Sequence, residues 1–233
     1  SGLITTLVIS GGAVTLGAGF TLNGSMLISS VGLLDLNGQV VTVNGTFATK
    51  QSGTLRMQNA SNLDQLIVNG NIAFGGGNTS GLLTNGTIKA RGNFSQTTNA
   101  QAFSASGAHT VLFDGTAAVN QGISFAHADS SFGATCSASC FGNVTANKLA
   151  GQGGILINTA MKAVGNINFS GTGDSVSVGL SAPANRIVVA GGNFAAGAGT
   201  QRFARVAHGG YFGDGAGLVL DTLIFSGANQ GFF

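Results

Sequence analysis

The chain has no Trp, a single Pro, a single Tyr, and only seven acidic residues, all of them Asp, in 233 positions. Each scarcity removes a class of protein. Helical bundles build their faces from Glu, Lys, Leu and Ala, so a chain without Glu and with little Lys is not one. Lys and Arg together number nine and never form a run, so binding to nucleic acid through phosphates has no footprint. No stretch reaches the ~18 consecutive apolar residues of a membrane helix, and Ser1–Thr6 carries no cationic leader. Low charge here does not mean disorder. Hydrophobic residues make up 43% of the chain and the mean hydropathy is +0.36.

What the chain has in excess is Gly, 40 residues, more than twice the usual share of roughly 7%. The glycines do not follow the strict triplet of collagen. They mark a short repeat: an apolar residue, any residue, Gly, then Asn, Thr or Ser, often followed by another apolar residue. Leu22-Asn-Gly24-Ser-Met26, Val43-Asn-Gly45-Thr-Phe47, Val68-Asn-Gly70-Asn-Ile72 and Ala90-Arg-Gly92-Asn-Phe94 are clear copies. Gly115, Gly142, Gly165, Gly192 and Gly227 continue it, Gly142 in a copy one residue short. The spacings are 21, 25, 22, 23, 27, 23, 27 and 35.

Between the marks lie short segments rich in Val, Ile, Leu and Phe, such as Val40–Val43, Ile155–Ile157 and Ile187–Val189. These are strand and turn signals. Several strands per ~24 residues predict an all-β fold, a single-stranded parallel β-solenoid of about nine coils filling residues 1–233. The marked glycines are then expected at coil corners, where a residue must tolerate positive φ. Stacking identical positions also disfavours ladders of like charge. Pro cannot donate to a ladder, and the chain has only Pro183.

Cys136 and Cys140, in Cys-Ser-Ala-Ser-Cys, are too few for a structural zinc site. They predict a disulfide staple in a loop near 128–140, with free thiols as the alternative. The widest gap predicts a polar loop insertion near 196–217. It contains Arg202, Arg205, His208, Tyr211 and Asp214, a candidate contact loop for a glycan or a neighbouring subunit. Both ends are strand-like and apolar, so Leu3, Ile4, Leu7, Phe232 and Phe233 are a candidate end-to-end interface. His109 is expected at an exposed corner. The Asp residues show no pairing suited to acid–base catalysis, and no nonapeptide calcium repeat occurs. No catalytic residue, metal or cofactor is expected.

The stretch Phe103-Ser-Ala-Ser-Gly107-Ala-His109-Thr-Val111-Leu-Phe113-Asp-Gly115-Thr, with Ile123-Ser-Phe125 and Phe141-Gly-Asn-Val144-Thr, resembles repetitive parallel β-helix segments of large secreted bacterial surface proteins, adhesins among them. Looser Gly-Asn-Phe and Asn-Gly-Thr turns extend the likeness along nearly the whole chain. It departs at Ala134–Cys140. The resemblance implies an extracellular or cell-surface protein with a structural or adhesive role and brings no catalytic motif. The expectation is a non-enzymatic solenoid that joins head to tail or forms part of a longer fibre. The alternative is a glycan-binding or glycan-cleaving β-helix.

Overall fold

The computed structural model describes residues 4–131 and 134–169 and, beyond them, the backbone of six short strands. The chain winds through parallel coils. The first coil is β1 (Thr6–Ile9), β2 (Ala13–Thr15) and β3 (Phe20–Leu22). The second is β4 (Ser25–Ile28), β5 (Leu33–Asp35) and β6 (Val40–Val43), and the third is β7 (Phe47–Lys50), β8 (Thr54–Arg56) and β9 (Gln65–Val68). The next three coils keep two strands each: β10 (Ile72–Gly75) and β11 (Thr87–Ala90), β12 (Phe94–Gln96) and β13 (Thr110–Phe113), β14 (Gln121–Phe125) and β15 (Asn143–Ala146). Three strands return in β16 (Ile155–Ile157), β17 (Met161–Ala163) and β18 (Ile167–Phe169). The last six are β19 (Val176–Val178), β20 (Ile187–Val189), β21 (Phe194–Ala196), β22 (Gln201–Arg202), β23 (Val206–His208) and β24 (Leu223–Phe225).

Each strand pairs with its equivalent one coil away, which gives a three-sided β-solenoid. Face one runs β1-β4-β7-β10-β12-β14-β16-β19-β22, and face three runs from β3 to β24; each is nine strands deep. Face two is interrupted. Its strands β2-β5-β8 and β17-β20-β23 are linked through the middle only by single bridges such as Met57 to Leu83 and Leu83 to Ala105.

The alternation read in the sequence becomes an inside and an outside. In β4, β6, β9, β11, β13 and β15 every second residue is buried. On face one Met26, Phe47, Ile72, Phe94 and Ile123 stack in register, and on face three Val41, Leu66, Ile88, Val111 and Val144 do the same. Phe94 lies at the centre, with ring centroids 4.8 Å from Phe103, 5.4 Å from Phe141 and 5.7 Å from Phe74. Charges also obey the stack: Arg56 meets its register partner Asp35 at 3.2 Å, and Arg91 meets Asp114 of the next coil at 3.5 Å.

The corner glycines require two corrections. First, they do not share one corner. Gly24, Gly45, Gly70, Gly92 and Gly115 follow a face-three strand, whereas Gly142 and Gly165 precede one. The register makes the switch explicit: Thr110 pairs with Asn143, so the largest step on face three, 33 residues, lies between Gly115 and Gly142. The spacing of 27 conceals it because the mark moves to the other side of the strand. Gly192 and Gly227 lie outside the described residues, but the strands nearest them tell the same story. Phe194 pairs with Leu223, a step of 29, so the 35-residue gap is largely another change of side. Within the stretch 196–217 the described elements are β22 and β23, and the rest of it lies outside the described residues.

Second, the corner glycines within the described residues do not have positive φ, which occurs instead at other glycines such as Gly12, Gly38 and Gly86 and at Ser30, Asn37, Gln51, Asn62 and Thr98. The corner positions need Gly because the coils approach so closely. A Cβ on Gly70 would lie 2.5 Å from the Gly45 carbonyl oxygen, and one on Gly92 would lie 2.5 Å from that of Gly70.

Candidate functional site

Three features carry polar chemistry or an unpaired surface. The first is a ladder along the corner between faces three and one. Asn44 Nδ2 donates to Asn23 Oδ1 (3.0 Å), Asn69 Nδ2 to Asn44 Oδ1 (2.6 Å), and Arg91 Nη1 to Asn69 Oδ1 (2.9 Å). These residues follow the last position of successive face-three strands, so the register brings carboxamides into line without further design.

The second is buried in the loop between β14 and β15, where face two loses its strand. Asp129 accepts from the backbone N–H of Ser131 (2.8 Å) and of Ser137 (2.6 Å) and from Ser137 Oγ–H (3.0 Å). Lys162, from β17 of the following coil, donates to Asp129 Oδ2 (3.0 Å), Ser131 Oγ (3.1 Å) and the Thr135 carbonyl (2.8 Å). Both charged side chains are buried. Burial alone would raise the Asp129 pKa, but hydrogen bonds from Ser131, Ser137 and Lys162 outweigh it and hold the carboxyl well below the usual carboxylate range. One ammonium thereby organises a loop that has no strand of its own. Cys136 and Cys140 are joined by a disulfide in this loop, with Cα atoms 5.8 Å apart. The nearby His109 corrects an expectation. It is fully buried rather than at an exposed corner, packs edge-on against Phe103 with centroids 6.0 Å apart, and neither ring nitrogen has a hydrogen-bond partner. Desolvation lowers its pKa to about 3.

The third feature is the outer side of the first coil. Strands β1, β2 and β3 are each the terminal strand of their sheet, so their outer N–H and C=O groups pair with nothing among the described residues. A cleft of about 390 Å³ opens between them, lined by Leu7, Ile9, Val14, Leu16, Phe20 and Leu34 among others. Val8 and Ile4 are also exposed.

Of the residues singled out in the sequence, Ile4 and Leu7 belong to this first-coil surface. Leu3, Arg205, Tyr211, Asp214, Phe232 and Phe233 lie outside the described residues. Arg202 and His208 are placed only as backbone positions, ending β22 and β23. Sequence reasoning missed Lys162, Asp129, Lys148 and Asp64 as buried polar groups. Its signal was weak: Met161-Lys-Ala163 is a strand with all three positions buried, which breaks the alternation. Among the described residues no three His, Cys, Asp or Glu gather as metal ligands, and no helix is long and apolar enough to cross a membrane.

Comparison with known proteins finds no matching family model, curated protein or solved structure.

Proposed function

We propose that the protein is an extracellular structural and adhesive β-solenoid whose coils continue end to end, in a filament of copies or as part of a longer surface fibre. The observation that carries this reading is the first coil: three parallel edges, unpaired among the described residues, surround an open apolar cleft. A coil of the same kind is the surface that fits it. It offers three parallel edges at the same strand spacing of about 4.8 Å and continues the apolar columns that Ile9 begins over Ile28 and Leu22 over Val43. A heterologous contact of this type stays open and propagates. The Cys136–Cys140 disulfide suits an oxidising compartment.

Light scattering and electron microscopy test it. The wild-type chain should form rods that lengthen with concentration. Val8→Lys and Val14→Lys, both at exposed sites of the first coil, should return it to a monomer with an unchanged β-sheet spectrum. A wild-type chain that stays monomeric at high concentration overturns the assembly.

A further inference from the structure

The flank of the rod carries a cleft of different chemistry. After β13 the corner between faces three and one swells. Residues 115–120 bulge outward, and residues 148–154 of the next coil stack on them. Gly153 N–H donates to the Ala117 carbonyl (2.9 Å), and a Cβ on Gly153 would lie 2.0 Å from Val119 backbone atoms. The coil before has no bulge and turns tightly at Arg91–Asn93. The step between the narrow and the swollen corner leaves a cleft of about 320 Å³, lined by Asn71, Arg91, Asn93, Val119 and Asn120 among others. That volume lies at the small end of ligand sites, the scale of a sugar unit rather than a polymer.

The floor is rigid. Gln121 is buried, its Nε2 donating to the carbonyls of Ala90 (2.9 Å) and Gly92 (2.8 Å) and its Oε1 accepting from Gly115 N–H (3.0 Å). The buried Lys148 Nζ also donates to Gln121 Oε1, and it reaches the Gly115 carbonyl at 2.6 Å.

The walls offer donors. Asn71 Oδ1 is taken by Asn93 N–H (2.9 Å), Asn93 Oδ1 by Gly122 N–H (2.8 Å), and Asn120 Oδ1 by Gly154 N–H (2.9 Å). What these carboxamides have left for a ligand is Nδ2. The Arg91 guanidinium is held by Asn69 through Nη1 and faces Asp114 through Nε, which leaves Nη2. Val119, 69% exposed, adds an apolar rim. A ligand that fits must bring acceptors, a negative charge and one apolar face.

We propose that this cleft binds a carboxylate-bearing sugar. The carboxylate meets Arg91, the hydroxyls accept from the Nδ2 groups of Asn71, Asn93 and Asn120, and the apolar face of the ring lies on Val119. The site supplies a chemical target for the adhesive part of the proposed function. It does not depend on assembly, because it lies on the flank.

The test is an amide chemical-shift titration of the full chain with sodium glucuronate, with glucose and sodium acetate as controls. Glucuronate should move the resonances of Gly92, Asn93, Val119 and Asn120, and each control should bind at least tenfold more weakly. Arg91→Gln, which keeps a donor for Asn69, should weaken glucuronate about tenfold, the scale of one charge-assisted hydrogen bond. Ala117→Asp, at an exposed position on the rim, should do the same by repulsion without touching the fold. No shift with glucuronate, an equal response to glucose or acetate, or full affinity in Ala117→Asp overturns the proposal. None of these outcomes bears on filament formation.

Discussion

Lys162 Nζ lies 3.0 Å from Asp129 Oδ2, and the two side chains come from successive coils and are both buried. Removing one partner strands the other charge in the interior. Lys162→Met should therefore destabilise the chain by about 3–5 kcal/mol. The double change Lys162→Met with Asp129→Leu should recover a large part of that loss. Denaturation midpoints of the four proteins in the cycle measure both.

His109 predicts a pH dependence of defined sign. Its folded-state pKa lies at about 3, below the ordinary 6.5, so the folded chain resists protonation that the unfolded chain accepts. The associated stability is complete above pH 6.5 and is lost as pH falls from there toward 3, at up to about 1.4 kcal/mol per pH unit. Asp129 acts lower: its depressed folded pKa gives stability present above its ordinary 3.8 and lost only below it. Thermal melts of His109→Phe should thus be nearly flat between about pH 6.5 and 4, where the wild type loses stability. An equal slope in both would remove His109 as the cause.

The disulfide closes a very short loop. In the chain-entropy relation such a loop contributes about 2 kcal/mol. Cys136→Ala with Cys140→Ala should lose about that much. It should also speed hydrogen exchange at the Ser137 amide, which donates to Asp129, more than at amides in β11.

Phe94 packs against five other phenylalanines: Phe74, Phe103, Phe113, Phe125 and Phe141. Phe94→Ala should cost about 3–5 kcal/mol, because a ring shared by several coils leaves a cavity they cannot all close. Val119→Ala, at an exposed site, should stay within about 0.5 kcal/mol.

Gly70 tests the revised role of the corner glycines. Its φ is ordinary, so an Ala there meets no backbone penalty, but its Cβ would lie 2.5 Å from the Gly45 carbonyl oxygen. Gly70→Ala should cost about 1–3 kcal/mol by overpacking. Gly11→Ala, where a Cβ meets nothing within 4 Å, should cost less.

Composition and local pattern determined the architecture of this chain. Scarce charge, abundant Gly and short alternating segments leave stacked parallel coils as the arrangement that buries Val41, Leu66 and Ile88 in one column. Segments such as Val40–Val43 and Ile155–Ile157 are strands where the alternation placed them. Those signals are local, spanning a few residues each. The tertiary structure decided what depends on the length of each coil. Whether Gly142 shares a corner with Gly115 turns on how many residues lie in the loops between them, and nothing local records which side of a strand a loop enlarges. The same long coil brings Lys162 over Asp129, buries His109 and opens the cleft beside Arg91. These residues are 18 or more positions from one another, and only the register of the stack sets their distances.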